Sequence, residues 1–305
     1  MNSANPTKDY CDVVARKVQD ERRRVLQPAE RYLNAVAGLP PAPVLMSELL
    51  SILRSPEHDL DRVVELVGCD PALTAQILRA SNSACFAGEQ PTVDIFNAVA
   101  RMGLYQVYCM VVAIFGARTK SMPGAGQGVN QDELWRHSVA VSISSSIIAD
   151  EAGQPKAVAF TAGLLHDIGK LVLASAERGA YAKLAQMAKD QGEVLSTLER
   201  ALLGIDHAQL GGELMRRWNL PPDVVAAVAR HHQLDASPPL EQLTAVVQVA
   251  DRIGHLLFGE ELPDADPLTS SDAALDTLQL SPDDFPRLLA KTEADMEKLK
   301  GILQI

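Results

Sequence analysis

The stretch Asp59–Ala84, DLDRVVELVGCDPALTAQILRASNSA, decides the fold class. Asp59 can accept hydrogen bonds from the first free N–H groups of a helix, and Val63, Leu66 and Val67 then fall on one face at helical spacing. After Cys69 the pattern restarts. Asp70-Pro71 joins an N-cap side chain to a proline, whose missing N–H is harmless in a first turn, and Leu73, Ile77 and Leu78 make the next apolar face. Helical periodicity of this kind recurs along the chain. No segment alternates strictly between apolar and polar residues, and aromatic residues, which favour sheets, are only 4%. The sequence predicts an all-α protein.

Within that pattern the best internal boundary is Lys120–Asn130, KSMPGAGQGVN, where Pro123 and three glycines interrupt two apolar helices. It separates a predicted first lobe, residues 39–125, from a second lobe, residues 126–260, that holds nearly all the polar residues of interest. Residues 1–38 read as a helical arm whose Glu21–Arg24 run, ERRR, is a solvated face. Residues 261–305 read as a C-terminal helical extension, its last helix capped by Ser281 and opened by Pro282.

With 305 residues, 47% of them hydrophobic and 22% charged, the chain can bury a sizeable core and fill two domains. The longest apolar run, Val107–Ala117, falls well short of the roughly 20 residues that cross a bilayer. The polar N-terminus lacks an apolar signal core. Both features predict a cytoplasmic protein with no membrane partner. The 28 basic against 39 acidic residues give a net charge of -11, which opposes attraction to a phosphate backbone, so no nucleic-acid partner is expected. Cys11, Cys69, Cys85 and Cys109 form no C-x-x-C pair, which points away from a zinc ribbon or a redox motif.

The chemistry lies in the histidines, of which there are seven. Gln131–Ala149, QDELWRHSVAVSISSSIIA, places Glu133 and His137 four apart on one helical face. Leu164–Lys170, LLHDIGK, sets His166 beside Asp167 in an apolar segment. In Gly204–Trp218, Asp206 caps a helix with His207 in its first turn. Pro221–Gln233 ends in His231 and His232 beyond the apolar stripe Val224, Val225 and Val228. In Leu243–Leu257, Asp251 follows the stripe Leu243, Val246, Val247 and Ala250, where a carboxylate is costly to bury without a cation or a hydrogen-bonding partner. Singly, each residue is an ordinary core, cap or surface group, and His58 and His255 read that way. Five histidines and two aspartates ending apolar faces within one lobe form a set that suits Fe, Mn, Zn or Ni, as one ion or two.

This order resembles the HD superfamily of metal-dependent phosphohydrolases, in which a His, a His-Asp dyad and a distal Asp hold the metal; the matching residues are His137, His166, Asp167 and Asp251. The longer set resembles the HD-GYP branch, with iron at two or three positions, and adds Glu133, His207, His231 and His232. Lys170 matches the branch's His-Asp-x-x-Lys lysine, which faces the scissile phosphate. Upstream, Leu39–Leu53, Asp70–Ala84 and Ala98–Ala113 resemble the helical lobe of HDOD proteins, the HD-related output domains of bacterial signalling, and the likeness runs over about residues 39 to 260.

The resemblance implies two helical lobes, the second an HD-type bundle. It also implies a divalent metal site, with two Fe in first place and Mn, Ni or Zn as alternatives. Function then follows as bacterial signal transduction through an unidentified signalling protein partner, with a nucleotide or phosphoester as a further ligand. HDOD proteins often lack several ligands, whereas this chain keeps every position. A metal-dependent phosphohydrolase or phosphodiesterase, with Asp167 and Lys170 as its catalytic residues, therefore stays open. Gln233 stands where HD-GYP proteins carry a Glu, and no Gly-Tyr-Pro follows, so hydrolysis of cyclic di-GMP is not expected.

Overall fold

The computed structural model describes residues 25–35, 44–55, 59–83, 85–86, 88, 90–119, 129–233, 241–259 and 272–303. Among these residues the protein is all-α, with no strand. Glu21–Arg24, most of the Lys120–Asn130 boundary and the acidic stretch after Gly259 lie outside them.

Six helices come first: α1 (residues 25–35), α2 (Val44–Arg54), α3 (Leu60–Gly68), α4 (Pro71–Ser81), α5 (Ile95–Met102) and α6 (Leu104–Thr119). The tandem caps form as their residue types require. The Asp59 carboxylate accepts the Arg62 N–H at 2.9 Å, and Asp70 accepts those of Ala72 and Leu73 at 2.9 and 3.0 Å. Val63, Val67, Leu73 and Ile77 are buried beneath them. Gly103, with φ +84°, occupies a backbone region that side chains rarely adopt, and there α5 turns sharply into α6.

The second group comprises α7 (Gln131–Glu151), α8 (Lys156–Leu165), α9 (Ile168–Glu177), α10 (Gly179–Gln191), α11 (Leu195–Leu203), α12 (His207–Arg217), α13 (Pro222–Arg230) and α14 (Gln242–Leu257). Helix α7 is its axis, packed along α8 and α14. Because α7 is covered on nearly every side, its small serines are buried, and two of their hydroxyls are satisfied locally: Ser142 donates to the Val139 carbonyl at 2.7 Å and Ser146 to the Ser142 carbonyl at 3.1 Å. The run Lys156–Glu177 is apolar enough by length and composition to cross a membrane, yet 94% of its apolar window is buried inside the protein.

Helix α1 buries Ala29, Tyr32 and Leu33 and reaches the second group through Arg31 to Glu177 at 3.1 Å. At the other end come α15 (Ala273–Leu278), a 3-10 turn Pro282–Asp284 opened by Ser281, and α16 (Phe285–Leu303). Helix α16 lies on α7, with the Ser144 and Thr292 hydroxyls 3.0 Å apart in the buried contact. The two groups of helices meet at Tyr108 to Thr161, 2.6 Å, and at Arg54 to Asp223, 2.5 Å.

Candidate metal centre

Five segments converge on one buried point. The turn between α8 and α9 supplies His166 and Asp167, α7 supplies His137, and the start of α12 supplies His207. The end of α13 supplies His231 and His232, and α14 supplies Asp251. Local chemistry fixes each position. Asp206 caps α12 by accepting the Gln209 N–H at 2.7 Å, which holds His207 in the first turn. His166 and His231 each follow a helix C-terminus and spend Nδ1 on the carbonyl three residues back, Gly163 at 2.7 Å and Val228 at 2.8 Å. A donated Nδ1–H leaves Nε2 as the atom that can take a metal, in His166 once its proton has gone.

The donor atoms fall into overlapping groups. Asp167, His207, His231 and His232 bring ligand atoms within 4.8 Å of one another; so do His137, His166 and Asp167; so do His137, Asp251 and His255. Their burial is near complete, with His166, Asp167, His207 and His231 at most 2% exposed. His166 Nε2 stands 3.4 Å from Asp167 Oδ2 and 3.4 Å from Asp251 Oδ1, and so sits between the groups. Among the described residues His137 Nδ1, His166 Nε2, His231 Nε2 and Asp167 Oδ1 are buried without a hydrogen-bond partner. Asp167 Oδ1 lies 3.2 Å from His207 Nε2 and 3.7 Å from His231 Nε2, but makes a hydrogen bond with neither. Unsatisfied buried donors and acceptors are rare in folded proteins, and an N/O set of this kind fits a divalent cation.

Charge is arranged to match. Burial disfavours the imidazolium of His166, but the Asp167 and Asp251 carboxylates outweigh it and hold the pKa up to about 10. Burial likewise opposes charge on His207, and Glu199, aided by Asp167, raises it to about 9. Asp167 and Asp251 are driven well below the usual carboxylate range against the opposing effect of burial, Asp167 by His166 and Lys170, Asp251 by His255, His137 and His166. His137, His231 and His232 are pushed down, chiefly by burial, and remain neutral. The cluster without a metal thus balances His166, His207 and Lys170 against Asp167, Asp251 and Glu199.

Lys170 donates to Asp167 Oδ2 at 2.6 Å, and its side chain is 19% exposed, at the edge of the cluster. Glu133 is not brought in: it is exposed in the first turn of α7, where its N–H meets the Asn130 side chain and its carboxylate favours the positive helix end. The four-residue spacing to His137 aligns the two only along the axis, and the end turn stands outside the core that covers His137. Conversely His255, read from sequence as a bystander, enters the cluster with Nε2 3.5 Å from Asp251 Oδ1.

Sequence reasoning missed Glu199 altogether. It is fully buried, accepts the His207 backbone N–H at 2.8 Å and Nδ1–H at 2.6 Å, and takes the Tyr181 hydroxyl at 2.5 Å. A glutamate in Glu193–Leu203, EVLSTLERALL, looks solvated, and only its place on the Ser196–Glu199 face could have flagged it. Glu199→Gln keeps the size but weakens the grip on His207, so metal affinity should fall about 10- to 100-fold with the fold intact. Competition against a chelator measures this, and an unchanged affinity refutes the role.

The chain is similar to an uncharacterised protein of Treponema pallidum, 26% identical over 76% of this chain and 45% of that protein. It is similar also to Ribonuclease Y of Desulfotalea psychrophila, 30% identical over 55% of this chain and 24% of that protein. It spans less than half the length of either relative. Among solved structures, an HDOD domain protein from Geobacter sulfurreducens superposes with a TM-score of 0.67 at 22% identity, over 92% of this chain and 96% of that one, a likeness of fold. The family model described as the HDOD domain matches residues 39–234, about two thirds of the chain and all but the α14 part of the cluster. On that match the chain belongs to the HDOD family.

Proposed function

We propose that the protein is a bacterial signal-transduction protein whose second group of helices holds two divalent ions, iron in first place with Mn, Ni and Zn as alternatives. The observation that carries this reading is the set of four buried donor atoms without hydrogen-bond partners, on residues of groups that are linked through Asp167 and His137. Each such atom left bare costs about 1–3 kcal/mol, so a fold that keeps four of them within one cluster is accounted for by bound cations. When bound, the ion supplies a Lewis acid and, as iron, a centre that changes oxidation state. The protein's own residues bury it and set its charge. The first group of helices supplies the surface for a cytoplasmic signalling partner, a role supported by Val93 and Phe96, 82% and 49% exposed around the start of α5.

The test is elemental analysis of untagged protein purified without chelators and with oxygen excluded, followed by melting before and after chelation. An ion should be found in each half. Its removal should lower Tm by several degrees, since ligand a thousandfold above Kd stabilises by about 4 kcal/mol. Uptake should release protons and strengthen as pH rises towards about 10, because His207 is protonated below about 9 and His166 below about 10. Negligible metal, with no uptake and an unchanged melt, would sink the proposal.

A second reading, a metal-dependent phosphohydrolase acting on a small phosphoester, is favoured by Lys170. Its ammonium is at the partly exposed edge of the cluster and can meet charge on a phosphoryl oxygen. The similarity to Ribonuclease Y points the same way. The net charge of -11 favours a small ester over a polynucleotide.

A further inference from the structure

We infer that His255 is a metal ligand, and that it fills the coordination position in the His137–Asp251 half of the site that the family resemblance gives to Glu133. This rests on the metal-site reading above and specifies it for this chain. Both Asp251 and His255 lie beyond the residues that the family model matches.

Three observations point to it. The first is crowding at one oxygen. Asp251 Oδ1 has His137 Nε2 at 2.9 Å, His166 Nε2 at 3.4 Å and His255 Nε2 at 3.5 Å. A carboxylate oxygen offers about two lone-pair sites, so three imidazole nitrogens exceed what it can hold as hydrogen bonds. A cation among the nitrogens and the oxygen relieves that excess.

The second is inward orientation. His255 is in the last turn of α14 and could point to water, yet its side chain is only 15% exposed and its ring centroid is 4.6 Å from that of His137. The four-residue step from Asp251 puts both side chains on one face, and α7 covers that face. Gly254 permits the approach. A Cβ there would come within 2.8 Å of Val141 Cγ2 and 3.0 Å of His137 Cε1, so any larger residue would push α14 off the His137 ring.

The third is the donor set. His137, Asp251 and His255 bring ligand atoms within 4.8 Å of one another. Two histidines and one carboxylate are a set that suits ferrous iron with positions left open. Glu133, exposed at the start of α7, is not a member of any such group among the described residues.

The full chain, purified anaerobically and reconstituted with ferrous iron, provides the test. Wild type and Glu133→Ala should carry the same iron content, and His255→Ala should carry half of it. The affinity for the lost ion should drop by more than about 100-fold, beyond the loss typical of an outer hydrogen-bond partner. His255→Cys loaded with cobalt(II) guards against a folding artefact: it should show a thiolate-to-cobalt charge-transfer band that cobalt-loaded wild type lacks. Full iron content in His255→Ala together with no new band in the cysteine variant overturns the ligand assignment alone. A wild type that takes up no metal overturns both this assignment and the metal-site reading beneath it.

Discussion

Asp167→Ala should abolish metal uptake by the half of the site that holds His207, His231 and His232, and destabilise the protein even without metal. Asp167 belongs both to the group with His207, His231 and His232 and to the group with His137 and His166, whereas His137, Asp251 and His255 group without it, so metal content should fall by half. Removing it also strips a carboxylate from Lys170, 2.6 Å away, and from cationic His166. Breaking a buried pair costs about 3–5 kcal/mol, and the partial exposure of Lys170 puts the loss near the lower end. The pH dependence follows from His166. Its pKa is raised in the folded state from 6.5 to about 10, so the stability it draws from Asp167 is fully present below 6.5 and lost as pH rises through 10. The gap between metal-free wild type and variant, measured by denaturant unfolding, should therefore narrow over that window. Normal metal content in the variant would refute the central place given to Asp167.

Gly169→Ala should be as damaging, for a backbone reason. A Cβ at this position would lie 2.0 Å from the His207 carbonyl oxygen and 3.0 Å from the Gly211 nitrogen. Both are main-chain atoms of α12, so no side chain can swing aside; α9 and α12 must separate. Overpacking costs typically about 1–3 kcal/mol, and a contact this short places the change at or above the top of that range. The displaced residue is His207 itself, so metal content should fall along with Tm. Gly179→Ala is the control, since a Cβ there meets nothing within 4 Å, and it should melt like wild type. Wild-type melting and metal content in Gly169→Ala would contradict the close crossing of the two helices.

The glycine of LLHDIGK thus has a structural reason that the sequence does not display. What was legible was local. The Asp59 and Asp70 caps, the Asp206 cap of α12 and the apolar faces of α3 and α4 are short-range chemistry, and all-α architecture followed from them. The histidines stood out because imidazoles are rare beside apolar stripes. The failures were matters of tertiary cover. Glu133–His137 and Asp251–His255 have the same spacing, but one pair begins at an open helix end and the other sits where α7 overlies α14. Glu199 was invisible because nothing in its neighbours tells a buried helical carboxylate from a solvated one. Its partner His207 lies eight residues on, across a turn.

The order in which the ligating helices occur along the chain bears on how the protein is made. Asp167, His207, His231 and His232 are all in place once α13 has left the ribosome, so that half of the site can assemble on an unfinished chain. The other half cannot. His137 waits for Asp251, 114 residues later, and closing so long a loop is slow. Metal supplied during synthesis therefore meets a lopsided site first, and completing the pair is tied to the emergence of α14. A ribosome stalled before Asp251 would display a chain with one half built and the other without its carboxylate.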